Sequence, residues 1–186
     1  MNANVLSINE YSSYIVFITG GTKSGKSEFA EYLAKKVKKL SYVALSENHL
    51  DDKEWQDKIN IHRKRRPNDW KLIETTDLLN TLKKEEGPLL IDSIGGFVMK
   101  SIGKEQNEWS TKMNSLISLL IRRKSITIIV GEQVGWSLVS EYKIGNIYIE
   151  RIGELQKRIT KISKDNWLAI NGRVIKIDEI SIEIPT

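Results

Sequence analysis

No cysteine occurs in the 186 residues, which excludes disulfides and thiol chemistry and suits a cytoplasmic protein. No apolar run approaches the length that crosses a bilayer, so a transmembrane segment is not expected. Residues 1–13 are polar and lack the charged-then-apolar order of a signal peptide; they read as an extension before the first strand. Proline is scarce, at three, and no linker, repeat or low-complexity tract divides the chain. The expectation is a single domain over 14–186, long enough to bury its own core. Neither sign of charge dominates. The 29 Lys and Arg against 24 Asp and Glu leave +5, which fits an anionic ligand such as a nucleotide and fits weak nucleic-acid affinity equally well.

What is present is a phosphate motif. Gly20-Gly21-Thr22-Lys23-Ser24-Gly25-Lys26-Ser27 fits G-x-x-x-x-G-K-S/T, the P-loop, without a mismatch. Tyr14–Thr19 before it is a short apolar, β-branched run that reads as a buried strand, and Glu28–Val37 after it has helical spacing. The glycines let backbone N–H groups curl round a polyphosphate, and the helix N-terminus adds partial positive charge. Lys26 is expected to reach the β- and γ-phosphates and Ser27 to hold Mg²⁺. The plain alternative is a glycine-rich turn with a chance lysine; the agreement of motif and flanks weighs against it.

Further strands are expected over Tyr42–Leu45, Leu89–Asp92, Ile126–Gly131, Trp167–Ile170 and Arg173–Ile177. Asn171-Gly172 between the last two is a hairpin signal. Helices are expected over Lys26–Lys39, Asp51–Arg65, Thr76–Lys84, Asn107–Lys124 and about Ile144–Lys164. In the last, Ile144, Tyr148, Ile152, Leu155, Ile159 and Ile162 mark one buried face. Strands separated by helices argue for an α/β fold: a mostly parallel sheet flanked by helices, with an antiparallel C-terminal hairpin.

Two further segments carry chemistry. Leu89-Leu90-Ile91-Asp92 is an apolar strand ending in a carboxylate, where P-loop proteins place an acid that organises Mg²⁺ beside the P-loop hydroxyl. A turn or cap aspartate is the ordinary reading of such a residue, and the P-loop upstream favours the functional one. Ser93-Ile94-Gly95-Gly96-Phe97 after it reads as a small-residue turn near a ligand. His62-Arg63-Lys64-Arg65-Arg66-Pro67 is the densest positive charge in the chain. Three readings of it stand together: a solvated helix end, a nucleic-acid patch, and an anion site in which His62 attacks a nucleotide phosphate while the cations stabilise the developing charge. Trp55, Trp109 and Trp167 read as core, Trp136 as core or site border, and His49 carries no assigned chemistry.

Taken in order, these segments resemble the bifunctional adenosylcobinamide kinase/adenosylcobinamide-phosphate guanylyltransferase family of cobalamin assembly. The likeness runs from about Tyr14 to Ile177. It includes Ile18 to Ser27, Tyr42-Val43-Ala44 with Leu50-Asp51-Asp52, and His62-x-x-x-Arg66-Pro67-x-x-Trp70 with Glu74. Val134-Gly135-Trp136-Ser137-Leu138-Val139 and the later Gly153 and Arg158 complete it. The resemblance implies a RecA-like P-loop NTPase fold and two reactions. One phosphorylates adenosylcobinamide. In the other His62 takes GMP from GTP and passes it to adenosylcobinamide phosphate, giving adenosylcobinamide-GDP. It implies nucleotide contacts at Gly20 to Ser27, Leu45, Ser46, Glu47, Arg63, Lys64, Arg65, Arg66, Glu74 and Asp92, with Ser27 and Asp92 on the metal. Its donors are GTP or ATP with Mg²⁺, and its members can form trimers, so a homo-oligomer without nucleic acid is expected.

Several positions depart from the family pattern. Gly95 stands for a threonine, Lys100 for an asparagine, Glu132-Gln133 for an Asn-Glu pair, and Gln156-Lys157 for an Asn-Gln pair. They leave the P-loop and His62 intact and fall where the corrinoid or catalytic polar groups sit, so they bear on the kinase step more than on nucleotide chemistry. Three other functions compete: a P-loop ATPase or GTPase switch acting through a protein partner, a nucleic-acid module using Arg63–Arg66, and a degenerate member lacking kinase activity.

Overall fold

The computed structural model describes residues 14–45, 67, 69–136 and 140–185. Strands β1 (Ile15–Gly20), β2 (Ser41–Ala44), β3 (Lys71–Glu74), β4 (Leu89–Asp92), β5 (Thr127–Glu132), β6 (Asp165–Ile170) and β7 (Arg173–Lys176) form one sheet of order β3-β2-β4-β5-β1-β6-β7. Every neighbouring pair is parallel except β6 and β7, which close antiparallel through the Asn171-Gly172 turn. Helices α1 (Lys26–Ala34), α2 (Leu78–Lys84), α3 (Gly95–Met99), α4 (Gln106–Arg122) and α5 (Lys143–Ile162) flank it. The parallel sheet and the hairpin are those expected from the alternation of apolar runs and amphipathic stretches.

Because successive strand side chains point to opposite faces, the central strands feed two cores. Ile15, Phe17, Val43, Ile91 and Ile129 meet α2 to α5, with Trp109 and Leu116 of α4 and Leu155 and Ile159 of α5 fully or nearly buried. Val16, Ile18, Tyr42, Leu90 and Ile128 meet α1 through Ala30, Leu33 and Ala34. Trp109 and Trp167 are core residues, as expected; Trp136 is exposed.

The boundaries differ where tertiary contacts outweigh local pattern. The first helix ends at Ala34 rather than Lys39, because the chain leaves it in turns that bury Val37 and Leu40 and reach a positive φ at Lys39. β3 has no apolar alternation, since it is an edge strand with only Ile73 half-buried. Gly95-Gly96-Phe97 lies in a short helix instead of a turn. β6 begins at Asp165, where Asp165 accepts hydrogen bonds from the Tyr14 hydroxyl and pairs with Lys176, and Asn166 donates to Asp178. The buried face of α5 starts at Tyr148, and Ile144 is exposed.

One buried cation ties the edge remote from the P-loop. Arg123, just after α4, donates from Nε to Thr127 Oγ1 (2.9 Å) and from its two terminal nitrogens to the carbonyls of Glu85 and Gly87. Burial pulls its pKa down to about 10, against the attraction of Glu85, so it stays charged at neutral pH. Arg123→Ala leaves two carbonyls and a hydroxyl without their donor, and is expected to cost roughly 3 kcal/mol. That corresponds to a fall in Tm of about 6–12 °C for a chain of this size, checked by thermal denaturation.

Candidate active site

The phosphate loop joins β1 to α1. Gly25 holds φ +95°, a left-handed conformation that glycine adopts without strain, and turns the chain into the helix. No side chain caps α1, so its first N–H groups are left for a ligand. Lys26 Nζ donates to the Gly21 carbonyl at 3.0 Å, which holds the ammonium over the loop. The closing hairpin supports the loop from behind, with the Gly172 N–H donating to the Ser24 carbonyl at 3.0 Å.

Asp92 ends β4 and meets the loop. Ser27 Oγ donates to Asp92 Oδ1 at 3.3 Å, and the Tyr42 hydroxyl donates to Asp92 Oδ2 at 2.7 Å. Tyr42 is itself stacked against Trp70, with ring centroids 6.4 Å apart and planes 21° from parallel. The tryptophan of the His62 motif therefore braces the tyrosine that orients Asp92. Strand register sets Glu74, Ala44 and Asp92 side by side at the C-terminal ends of β3, β2 and β4, with Leu45 one residue on. Glu74 is exposed there and Leu45 is buried.

A second carboxylate lies on the other side of Asp92. β5 runs between β4 and β1, pairs with both, and ends in Glu132 opposite Gly20. Ser93, next to Asp92, donates its hydroxyl to Glu132 Oε1, while Glu132 Oε2 is buried with no hydrogen-bond partner among the described residues. Burial pushes the Glu132 carboxyl above its ordinary value; Asp92 adds to the shift, and Ser93 and Lys26 oppose it. Burial, and then the charge of Glu132, also raise the Tyr148 hydroxyl of α5. Gln156 Nε2 donates to the Glu132 carbonyl at 2.7 Å, and Gln133 and Thr19 both donate to Gln156 Oε1 at 3.2 Å.

A family model described as cobinamide kinase/cobinamide phosphate guanyltransferase matches residues 16–177. The chain belongs to this family. It is accordingly a transferase of the cobinamide kinase/guanyltransferase family. Two curated relatives, from Escherichia coli strain K12 and Salmonella typhimurium strain LT2, are both named bifunctional adenosylcobalamin biosynthesis protein CobU. Each is 26% identical over 181 residues, covering 88% of this chain and 99% of the relative. A solved ATPase from the type III secretion system of pathogenic bacteria superposes with a TM-score of 0.54 at 12% identity, over 84% of this chain and 51% of that one. That likeness bears on the fold alone, a mostly parallel sheet flanked by helices.

In this cobinamide kinase/guanyltransferase family member, the described residues include those expected to hold phosphate. Gly20 to Ser27, Leu45, Glu74 and Asp92 gather at the C-terminal edge of the sheet. Ser46, Glu47, His62, Arg63, Lys64, Arg65 and Arg66 lie outside the described residues, as do His49, Trp55, the expected helix over 51–65 and the extension over 1–13. The motifs alone missed Tyr42, Ser93 and Tyr148. A tyrosine in an apolar strand reads as core, and only the fold puts its hydroxyl on Asp92. No helix among the described residues is long and apolar enough to cross a membrane.

Proposed function

We propose that this chain phosphorylates adenosylcobinamide and transfers GMP from GTP to adenosylcobinamide phosphate through a guanylyl-histidine on His62, giving adenosylcobinamide-GDP. The observation that carries this reading is a P-loop joined through Ser27 to Asp92, in a family member whose His62 motif ends in the Trp70 that braces Tyr42 and so Asp92. In this reading Lys26 and the backbone of Gly20 to Ser27 cradle the polyphosphate. Leu45, Ser46, Glu47, Arg63, Lys64, Arg65, Arg66 and Glu74 contact the nucleotide. Hydroxyl and carboxylate oxygens suit a hard cation, so Ser27 and Asp92 would hold Mg²⁺, which when bound neutralises charge on the phosphates. The reading includes a homo-oligomer, a trimer by likeness to the family. The exposed Ile180, Ile182 and Ile184 of the C-terminal segment support a covered surface there.

The guanylyl step balances simply. A His62 ring nitrogen attacks the α-phosphorus of GTP, forming a P–N bond as the bond to the bridging oxygen breaks and pyrophosphate leaves. A phosphate oxygen of adenosylcobinamide phosphate then displaces His62. Incubation with adenosylcobinamide, GTP or ATP, and Mg²⁺ is expected to yield both adenosylcobinamide phosphate and adenosylcobinamide-GDP, read by mass spectrometry of the products. Nucleotide hydrolysis with neither product would sink the reading and favour the switch.

A further inference from the structure

Strand order puts one residue between the phosphate cradle and Asp92. β1 carries the P-loop, β4 carries Asp92, and β5 between them ends in Glu132. The backbone therefore delivers this carboxylate to the space a terminal phosphate and its acceptor must share. The side chain is held there: Ser93 fixes Oε1, and Oε2 is left buried without a hydrogen-bond partner among the described residues.

Gly95 lets this carboxylate close down on the backbone. A Cβ built on Gly95 would lie 2.7 Å from Glu132 Oε1 and 2.8 Å from Oε2, and closer still to the Tyr148 hydroxyl. The carboxylate and the phenol thus pack directly over the glycine, and any side chain at position 95 would push them aside. A hydroxyl brought to the carboxylate can donate its proton to it and accept a hydrogen bond from the phenol.

We propose that Glu132 is the proton acceptor of the kinase step, receiving the acceptor hydroxyl on its unpartnered oxygen with Tyr148 as the second partner. This rests on the kinase reading above. The hydroxyl oxygen attacks the γ-phosphorus of the nucleotide, its O–H bond breaks, and the proton passes to Glu132. The O–P bond forms as the bond from γ-phosphorus to the bridging oxygen breaks and the nucleoside diphosphate leaves. The proton then goes to solvent. The charged and titratable groups facing Glu132 are Asp92 on β4, Lys26 at the start of α1 and Tyr148 on α5. Burial and Asp92 keep its proton affinity above that of a free carboxylate, which suits a base working near neutrality.

The test compares wild type, Glu132→Gln, Glu132→Asp, Gly95→Ala and Tyr148→Phe, all as full chains. Phosphorylation of adenosylcobinamide, GTP binding and the GMP adduct are measured on each. Glu132→Gln is expected to lower acceptor phosphorylation at least about 100-fold in kcat while GTP binding and the adduct persist. Glu132→Asp retains part of the rate. Gly95→Ala, which pushes the carboxylate and the phenol aside, lowers the kinase rate, and Tyr148→Phe does so more weakly. The wild-type kinase profile has an acidic limb that Glu132→Gln lacks. Should Glu132→Gln fail to fold, Glu132→Asp, which keeps the carboxylate but draws it back, decides the matter: full kinase rate with an unmoved acidic limb overturns the inference. Full kinase rate in the Gln variant overturns it likewise. Joint loss of GTP binding and adduct assigns Glu132 to structure and overturns it too. Wild type that phosphorylates no acceptor overturns the kinase half of the proposed function and this inference with it, whereas wild-type kinase activity that survives in Glu132→Gln overturns this inference alone.

Discussion

His62→Ala is expected to abolish the GMP adduct that wild type acquires on incubation with GTP and Mg²⁺. The adduct is a phosphoramidate, so it should be acid-labile and should appear in the intact mass as one GMP per chain. Loss of the covalent nucleophile removes the route itself rather than one of its stabilising contacts, so overall guanylyl transfer falls by roughly four orders of magnitude or more. In the proposed reading the kinase step uses the P-loop, Ser27 and Asp92 and forms no bond to His62. The variant should therefore continue to phosphorylate adenosylcobinamide and accumulate the monophosphate. This split separates the proposed mechanism from the two readings of the basic segment that need no nucleophile. A solvated helix end predicts no change in either reaction. A nucleic-acid patch predicts a salt-dependent affinity for DNA or RNA that responds to Arg63–Arg66 and not to His62. No adduct on folded, GTP-binding wild type would defeat the histidine mechanism outright.

The strand, turn and helix around the P-loop were legible because their pattern is local. Eight consecutive residues, Gly20 to Ser27, contain the turn, the cation and the hydroxyl, and an apolar run on one side with a helix on the other fixes their geometry. Asp92 was legible for the same reason, as a carboxylate at the end of a buried strand. What escaped the sequence depends on contacts across the sheet. Tyr42 sits 50 positions from the Asp92 it orients, and Ser93 sits 39 positions from Glu132. β3 escaped because an edge strand need not alternate: Lys71, Leu72 and Glu74 are exposed, and only Ile73 shows the period. Ile144 fits the spacing of the α5 stripe yet is exposed. The departures from the family pattern gain a physical meaning in the fold. Gly95 and Glu132, which stand for a threonine and an asparagine in sequence, adjoin in space, and the larger carboxylate occupies room that a side chain at position 95 would need. Gln133 and Gln156, two further departures, hydrogen-bond each other and hold the backbone of Glu132. Four positions that depart from the pattern the resemblance implies thus lie together around the end of β5.

Lys26→Ala is expected to cripple both reactions, which distinguishes it from the His62 variant. Both transfers develop charge on phosphate oxygens within the same loop, and an ammonium placed there stabilises the transition state more than the ground state. Removing one such donor lowers kcat roughly 10²–10³-fold in comparable sites, and the lost charge-assisted hydrogen bond weakens nucleotide binding by about 1.5–3 kcal/mol. Folding should be spared. The only hydrogen bond of Lys26 Nζ described here is to the Gly21 carbonyl of its own loop, a half-buried contact that water can replace. Unchanged Tm with both activities lost, measured by thermal denaturation beside the two product assays, is the expected pattern; loss of one reaction alone would show that the loop serves only one transfer. The variant also reports on Glu132. Lys26 holds down the proton affinity of that buried carboxyl, while burial and Asp92 raise it. Taking the cation away moves the carboxyl further up, so more of it is protonated at any given pH. The residual kinase activity of Lys26→Ala should then show its acidic limb displaced to higher pH than in wild type, and that limb should vanish when Glu132→Gln is added.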